Sequence, residues 1–445
     1  MTSPPSRPTP DRCNVLLLGN GGREHALAWK LRQSPRLGEL WVDAQANAGL
    51  LDMARACPEA IDAKQMFRLQ RWCDREKIDL VVIGPEALLE KDFATLLASD
   101  TRVVFGPTRD AARLEWDKAY AKQLMRSVAI PTAEGRCFDS YEAAHRYVSS
   151  RDEDLVIKAA GLAAGKGVSV CSSRDEAIAA LDRIMGKREF GDAGAQVVVE
   201  ERLQGQELSV LALVDGRTIS VLDPCQDHKQ VGEGDVGPNT GGMGAYCPTP
   251  LANDALLDQV QRQILVPAID GLRREGITFR GVLYAGLMLT PAGPKVLEFN
   301  TRFGDPETQP LMARLDADLV DLLYATAVGN LDSVDYGFDP RTACCVVVCS
   351  GGYPGAIVKG KPITGLERAA SMPGVTIFHA GTARSPSGDL VTAGGRVFGV
   401  TALGSDLRDA QRRANEAAST IAFDGAFFRR DIGHRVMPAG TSATC

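Results

Sequence analysis

The stretch CNVLLLGNGGREHALAWKLRQ, residues 13–33, constrains the fold of this chain more than any other. Val15 to Leu18 form a continuous apolar run, the pattern of a strand buried on both faces. Gly19, Gly21 and Gly22 make a turn, and Ala26, Leu27, Trp29 and Leu31 follow in a helical pattern. Two further short apolar runs end in punctuation, LVVIGPE at 80–86 and VVFGP at 103–107, with helical segments between them. That alternation predicts an open, Rossmann-like α/β domain over residues 12–117. Ligands of such sheets lie beyond the carboxyl ends of the strands, where Gly19–Arg23 and Gly84–Glu86 fall. The glycine turn admits a dinucleotide, but the acidic partner expected after the second strand is matched only loosely, by Asp43.

The length of 445 residues allows about three domains. A net charge of −6 argues against a general nucleic-acid or membrane-surface binder, and leaves room for a local basic pocket that takes phosphate. No run approaches a membrane span, and MTSPPSRPTP reads as a polar, disordered tail over 1–11 rather than a signal sequence. The 11 cysteines are odd in number and form no CxxC pair, and the five histidines make no zinc motif. Buried reduced thiols in a cytoplasmic protein are the expectation.

From residue 118 the character changes. DLVIKAAGLAAGKGVSVC, at 154–171, reads as strand, glycine loop and strand, followed by a helix with Ser173 as N-cap. AQVVVEERL is a further strand. ELSVLALVDG and TISVLD form a hairpin around a D-G turn, and residues 280–307 a second hairpin that runs into a polar loop. Helical residues 308–329 close a domain spanning 118–335. A smaller β-rich domain follows over 336–432, then a loose polar tail over 433–445. The fold class is therefore multidomain, α/β and α+β.

The glycine loop carries Gly161, Gly165, Lys166 and Gly167, which fails the Walker pattern because no Ser or Thr follows the lysine and no helix begins there. Set between strands, such a loop lies over a nucleotide as a flap, with Lys158 and Lys166 adding positive charge. In KVLEFNTRFGDPE, Glu298 and Asn300 share a strand face. A carboxylate with an amide oxygen is a hard, oxygen-only set suited to Mg²⁺ that is held partly by nucleotide phosphates. Arg302 could then hold a carboxylate or a phosphoryl group in transit. QDHKQVGEGDVGPNTGGMGAY, at 226–246, has no regular period and reads as a functional loop, in which Gly241, Gly242 and Gly244 allow close backbone approach. His228 within it is more a hydrogen-bonding bystander than a base. Glu200, Glu201 and Glu207 flank a strand end, where a backbone hinge near Glu201 and Leu203 could read adenine and Glu207 a ribose.

GNGGREHALAWKL, GLAAGKGV, QDHK, GPNTGGMGAY, EFNTRFGDPETQP and GGYPG, taken together and in this order, resemble the phosphoribosylamine–glycine ligase (glycinamide ribonucleotide synthetase) family of the ATP-grasp superfamily. The resemblance runs from about residue 13 to RRDIG at 429–433. It implies a pre-ATP-grasp N-terminal domain, an ATP-grasp core with a hinged lid at about 131–202, and a small C-terminal domain. It implies ATP, Mg²⁺ or Mn²⁺, a small-molecule carboxylate and an amine, with no nucleic-acid or membrane partner, in a monomer or homodimer. The carboxylate is phosphorylated to an acyl phosphate, and the amine displaces phosphate. Carried over by motif, Lys118 and Lys158 contact ATP phosphates together with Gly161, Gly165, Lys166 and Gly167. Glu200 lies on the cofactor side, Glu201 to Leu203 lie at adenine, Glu207 lies at ribose, and Glu298 and Asn300 hold the metal. Arg302 and Lys158 are the catalytic pair. The substrate side takes in Gly21, Gly22, Arg23, Glu24, Asn47, Gly49, Pro85 and Glu86 from the N-terminal loops. Asp227, Lys229, Gly241, Gly242, Gly244, Arg302 and Asp305 complete it.

The chain departs from the family at Gln45 and Ala46, where Pro and Gly are usual, at Leu88 for Pro, and at Ala160 for Asp. Pro224 and Cys225 precede Gln226, where a small hydroxyl residue is common. A glycine at positive φ that lets N–H groups reach a phosphate does not become alanine freely. This defines a second reading, the same chemistry on a different amine such as an aminonucleoside or amino sugar. A third, a nucleotide-binding protein without catalysis, is opposed by the intact Glu298, Asn300 and Arg302.

Overall fold

The computed structural model describes residues 8–163 and 166–437. The N-terminal sheet has five strands, all parallel, in the order Arg55–Cys57, Leu37–Asp43, Cys13–Leu18, Leu80–Ile83, Val103–Phe105. Leu80–Ile83 is buried throughout, as an apolar run between two layers must be. The helix Gly22–Leu31 starts directly after the glycine turn, where the Glu24 carboxylate accepts from Gly21 N–H at 2.7 Å. Asp43 caps the next strand end, accepting from Gln45 N–H at 2.8 Å.

Residues 135–201 form a four-stranded antiparallel sheet in the order Gly135–Phe138, Val197–Glu201, Leu155–Ala159, Val168–Cys171. The helices Tyr141–Ser149 and Arg174–Leu181 pack with it around a separate small core of Ala144, Val148, Ile157, Ala177, Leu181 and Val199. Ser173 is the N-cap of the second helix, accepting from Glu176 N–H. The central sheet is antiparallel in the order Ile219–Val221, Gln206–Val214, Gly281–Thr290, Gly293–Asn300. Its first hairpin turns at Asp215, whose Oδ1 accepts from Arg217 and Thr218 N–H.

The stretch 226–246 differs from the expected loop. Gln226–Asp227, Gln230–Gly232, Val236–Asn239 and Gly244–Cys247 are all short strands. The first and last of them complete a five-stranded sheet with Thr342–Cys349, Arg396–Gly404 and Val375–His379. Strands of two to four residues carry too little pattern to be seen as periodic. The end of the chain differs as well. Gly433 N–H donates to His228 Nε2 at 3.0 Å and Arg435 pairs with Asp235 at 2.7 Å, so residues 433–437 are tied down. Residues 1–7 and 438–445 of the expected tails lie outside the described residues. Every described cysteine is free, and among the described residues no helix is long and apolar enough to cross a membrane.

One apolar cluster joins three parts of the chain: Val15, Leu17 and Leu27 from the first sheet, Leu211, Leu323 and Tyr324 from the centre, and Phe378 from the C-terminal sheet. His25 sits in this joint. Its Nδ1 accepts from His379 N–H at 3.0 Å, and its ring packs edge-on to Phe378. Burial, then the neighbouring His379, pushes its pKa down to about 3, against a small upward effect of its hydrogen bond to the Gly49 backbone. The unfolded chain therefore binds the extra proton between pH 6.5 and 3, and stability present above pH 6.5 is lost as pH falls. On this single group, denaturant titrations at pH 7 and pH 5 should show the wild type losing about 2 kcal/mol more than His25→Gln. Equal losses would remove His25 from the acid sensitivity of the fold.

Candidate active site

A cavity of about 630 Å³ opens between the lid sheet, the central sheet and the strands of 226–241. Lys118, Lys158, Gly161, Gly167, Glu200, Glu201, Leu203 and Glu207 line one part of it; Glu298 and Asn300, then Arg302, Asp305, Asp227, Lys229, Gly241 and Glu86 line the rest. The residues singled out in separate sequence stretches thus share one continuous wall.

Local structure explains each position. Lys118 opens the helix Lys118–Ser127, and its N–H donates to Ala160 O at 2.8 Å, so the base of the flap is tied to that helix. Lys158 projects from the lid strand, donates to Leu297 O at 2.9 Å and pairs with Glu200 at 2.7 Å. Leu297 is the extra residue of a β-bulge: Gly286 pairs with Glu298 and Leu287 with Val296. Gly161 approaches the backbone of Ala193 so closely that a Cβ would meet its Cα at 2.7 Å. Lys166 is exposed, and Gly165 lies outside the described residues. Glu200 is buried and faces Lys158 and Lys122, so its carboxylate is held in a charge cluster. Glu201 accepts from Glu134 N–H and Lys295 at 3.0 Å each, while Glu207 pairs with Lys229 at 3.2 Å.

Glu298 and Asn300 each bring an oxygen acceptor to the cavity wall, and Asn300 Oδ1 accepts from Arg302 at 3.2 Å. Burial alone would raise the Glu298 carboxyl, but Lys229, Lys118, Lys158 and Arg302 hold it below the usual range, hence ionised at neutral pH. Among the described residues no group of three or more His, Cys, Asp or Glu side chains could hold a metal by itself. One ionised carboxylate plus one amide oxygen fits a hard divalent cation that takes its other ligands from a nucleotide and water.

Arg302 is clamped on the opposite side, with Glu115 at 2.9 Å and Glu86 at 3.3 Å. Asp305 pairs with Arg396 at 3.2 Å, and Arg396 also donates to Gly241 O at 2.7 Å. Asp227 Oδ1 is buried and has no hydrogen-bond partner within the chain. Burial and then Glu307 raise its carboxyl well above the ordinary value. Gly242 has φ +116, and a Cβ there would meet Pro306 Cδ at 2.4 Å and Asp227 Oδ1 at 2.8 Å.

Several expected substrate residues make contacts within the chain around the cavity. Arg23 donates to Phe303 O at 3.0 Å and to Glu24 at 2.6 Å. Gly22 packs against Gln309, and Asn47 donates to Asn20 O and His379 O. Gly49 packs against His25 and His379, where a Cβ would come within 2.6 Å of each ring. Pro85 is the N-cap position of the short helix Glu86–Glu90. Gly244 lies in a buried strand paired with Val346. His228 is buried with Nε2 accepting from Gly433 N–H, a structural position as expected. Sequence reasoning missed Glu115, Lys122, Arg396 and Tyr284, the last of which lines the cavity and donates to Glu307 at 2.6 Å. Of these only Lys122 carried a signal, lying one helical turn from Lys118 on the same face.

Removing Arg302 leaves Glu86 and the buried Glu115 facing each other without their cation. Arg302→Met should lower the unfolding free energy at pH 7 by about 3 kcal/mol, read from denaturant titration, with part regained when Glu115→Gln is added. A loss below about 1 kcal/mol would mean the clamp is not structural.

Residues 13–115, 116–308 and 343–435 match the N domain, the ATP-grasp (A) domain and the C domain of phosphoribosylglycinamide synthetase. The phosphoribosylamine–glycine ligase of Rhodopirellula baltica is 47% identical over 438 residues, covering 97% of this chain and 99% of that protein. Its namesake in Pseudomonas aeruginosa is 45% identical over 425 residues, covering 95% and 98%. The crystal structure of phosphoribosylamine–glycine ligase from Thermotoga maritima superposes with a TM-score of 0.79 at 33% identity, over 94% of this chain and 100% of that one.

Proposed function

The chain belongs to the phosphoribosylglycinamide synthetase family, and we propose that it joins glycine to 5-phosphoribosylamine as an ATP-dependent ligase of purine biosynthesis. The observation that carries this reading is the single cavity in which nucleotide-side and acceptor-side residues face each other. The adenine edge meets the strand end Glu201–Leu203, the ribose meets Glu207, and the phosphates meet Lys118, Lys158 and the flap. Glu298 and Asn300 would hold a divalent cation, Mg²⁺ or Mn²⁺, whose charge offsets that of the phosphates.

The glycine carboxylate oxygen attacks the γ-phosphorus as the bond to the ADP oxygen breaks, giving an acyl phosphate and ADP. The amine nitrogen then attacks the acyl carbon, phosphate leaves, and the nitrogen loses a proton. Arg302, fixed by Glu86 and Glu115, presents a positioned guanidinium to the carboxylate or to the phosphoryl group in transit. The unpartnered Asp227 Oδ1 offers an acceptor to the glycine ammonium. The lid, with its own core, is built to close over the cavity and keep water from the acyl phosphate.

The different-amine reading loses its steric premise. Ala46 is not among the described non-glycine residues at positive φ, and its N–H donates to Asp43 O at 2.9 Å, so the backbone does not demand glycine there. Leu88 lies in the helix Glu86–Glu90 and packs against the N-terminal core. Ala160 is buried with Ala119 and Val198, away from the amine side.

ADP release should appear with glycine and freshly generated phosphoribosylamine together, and fall away when either is omitted. No release with that pair, or equal release with an unphosphorylated amino sugar, would overturn the assignment. Glu298→Ala should abolish turnover while circular dichroism and the melting temperature stay near wild type; near-normal turnover would refute its place at the cation.

A further inference from the structure

Behind the phosphate side of the cavity lies a second lysine that the proposed reaction does not use. Lys122 is 2% exposed and does not line the cavity. An ammonium has three N–H donors, and all three are engaged: with Glu200 Oε1 at 2.5 Å, Thr132 Oγ1 at 2.9 Å and Ala133 O at 2.9 Å. Thr132 can accept because its own hydroxyl hydrogen goes to Val296 O at 2.7 Å. Glu200 is thereby held at both oxygens, Oε1 by Lys122 and Oε2 by Lys158 at 2.7 Å. Lys158 has a second bond, to Leu297 O, and one N–H left over.

The charge count gives this arrangement its meaning. Two ammoniums share one carboxylate, so the cluster carries a net charge of +1; Lys158 and Glu200 line the cavity with Lys122 behind them, so Lys158 is the ammonium that presents the surplus. Without Lys122 the whole charge of Glu200 would fall on Lys158. The cluster would then be neutral, and Lys158 would be held more firmly to Glu200 just where phosphate oxygens need it. We propose that Lys122 is a positioning residue for the nucleotide phosphates: by taking one oxygen of Glu200, it leaves Lys158 with unspent charge and a free N–H for them. Thr132–Ala133 and Glu200 are also where the chain enters and leaves the lid, so the same ammonium grips both crossings. A brace at that hinge is the competing account, and it makes a different prediction.

The proposal rests on the nucleotide side of the assigned function, but not on which amine or carboxylate is used. Its test is accordingly the binding of ADP in the presence of Mg²⁺ to the full chain, by titration calorimetry. Lys122→Met should weaken ADP binding about tenfold, the scale of one unscreened charge near the phosphates. Lys122→Met/Glu200→Gln restores the net charge of +1 and should recover ADP affinity to within about threefold of wild type. A hinge brace would not be mended by a second loss at the same joint. Unchanged binding in Lys122→Met, or a double variant as weak as the single, overturns the proposal. If Lys122→Met does not fold, Glu200→Gln decides it against wild type: with no carboxylate drawing on Lys158, ADP should bind at least as tightly as to wild type, and a loss of about tenfold overturns the proposal. Failure of ligase turnover in a wild type that still binds ADP would strike the substrate assignment and leave this inference standing.

Discussion

Arg302 is the point on which the arrangement of this molecule turns. It follows the central sheet immediately and donates back to Asn300, outward to Glu86 in the N-terminal domain, and inward to Glu115 on the helix Arg109–Trp116. Glu115 in turn accepts from Thr301 N–H at 2.7 Å. Arg23, from the first helix, donates to Phe303 O, the same carbonyl that Arg302 reaches. One guanidinium thus fixes the end of the strand that carries Glu298 and Asn300 relative to the N-terminal sheet. A buried ion cluster of this kind adds little net stability over an apolar one, but it forbids alternative registers at the joint, because any slip would strand a charge. That specificity is what a site shared between domains requires.

The parts of the fold legible in the sequence were those with long apolar runs or strong punctuation. Val15–Leu18 and Leu80–Ile83 announced a doubly covered sheet, and Asp215-Gly216 announced a hairpin, because burial and turn chemistry act locally. The four short strands of 226–247 were not legible. Gln230–Gly232 pairs with Val236–Asn239 and Gln226–Asp227 with Gly244–Cys247, but runs of two to four residues show no period, and the pairing of Gly244–Cys247 with Thr342–Cys349 joins positions about a hundred residues apart. The packing of residues 433–437 was hidden for the same reason: it depends on His228 and Asp235, which are distant in sequence.

The site divides along the same line. Residues that point into the cavity fall in dense motifs, since several must converge on one ligand: Glu298, Asn300, Arg302 and Asp305 come from a single stretch. Those that hold them come singly. Glu115 and Arg396 lie in an ordinary amphipathic helix and strand, and their role exists only in three dimensions. Motif glycines such as Gly22, Gly49 and Gly244 also allow close packing between elements, where a Cβ would strike a neighbour.

The departures at Gln45, Ala46, Leu88 and Ala160 show why residue type alone misleads. A lost glycine matters when φ is positive or when a Cβ would strike something. Gly49 meets the second condition and is kept; at Ala46 the backbone is compatible with a side chain. Gln45 is exposed and is held through its backbone N–H, so its side chain is free to vary. At Ala160 the feature used is the carbonyl oxygen that receives Lys118 N–H, which any residue supplies. The changes therefore fall where the backbone carries the feature described, at Gln45 and Ala160, or where an apolar side chain packs, at Ala46 and Leu88. The positions whose side chains carry charge into the cavity are retained, so the chemistry can persist through the substitutions that first made the chain look altered.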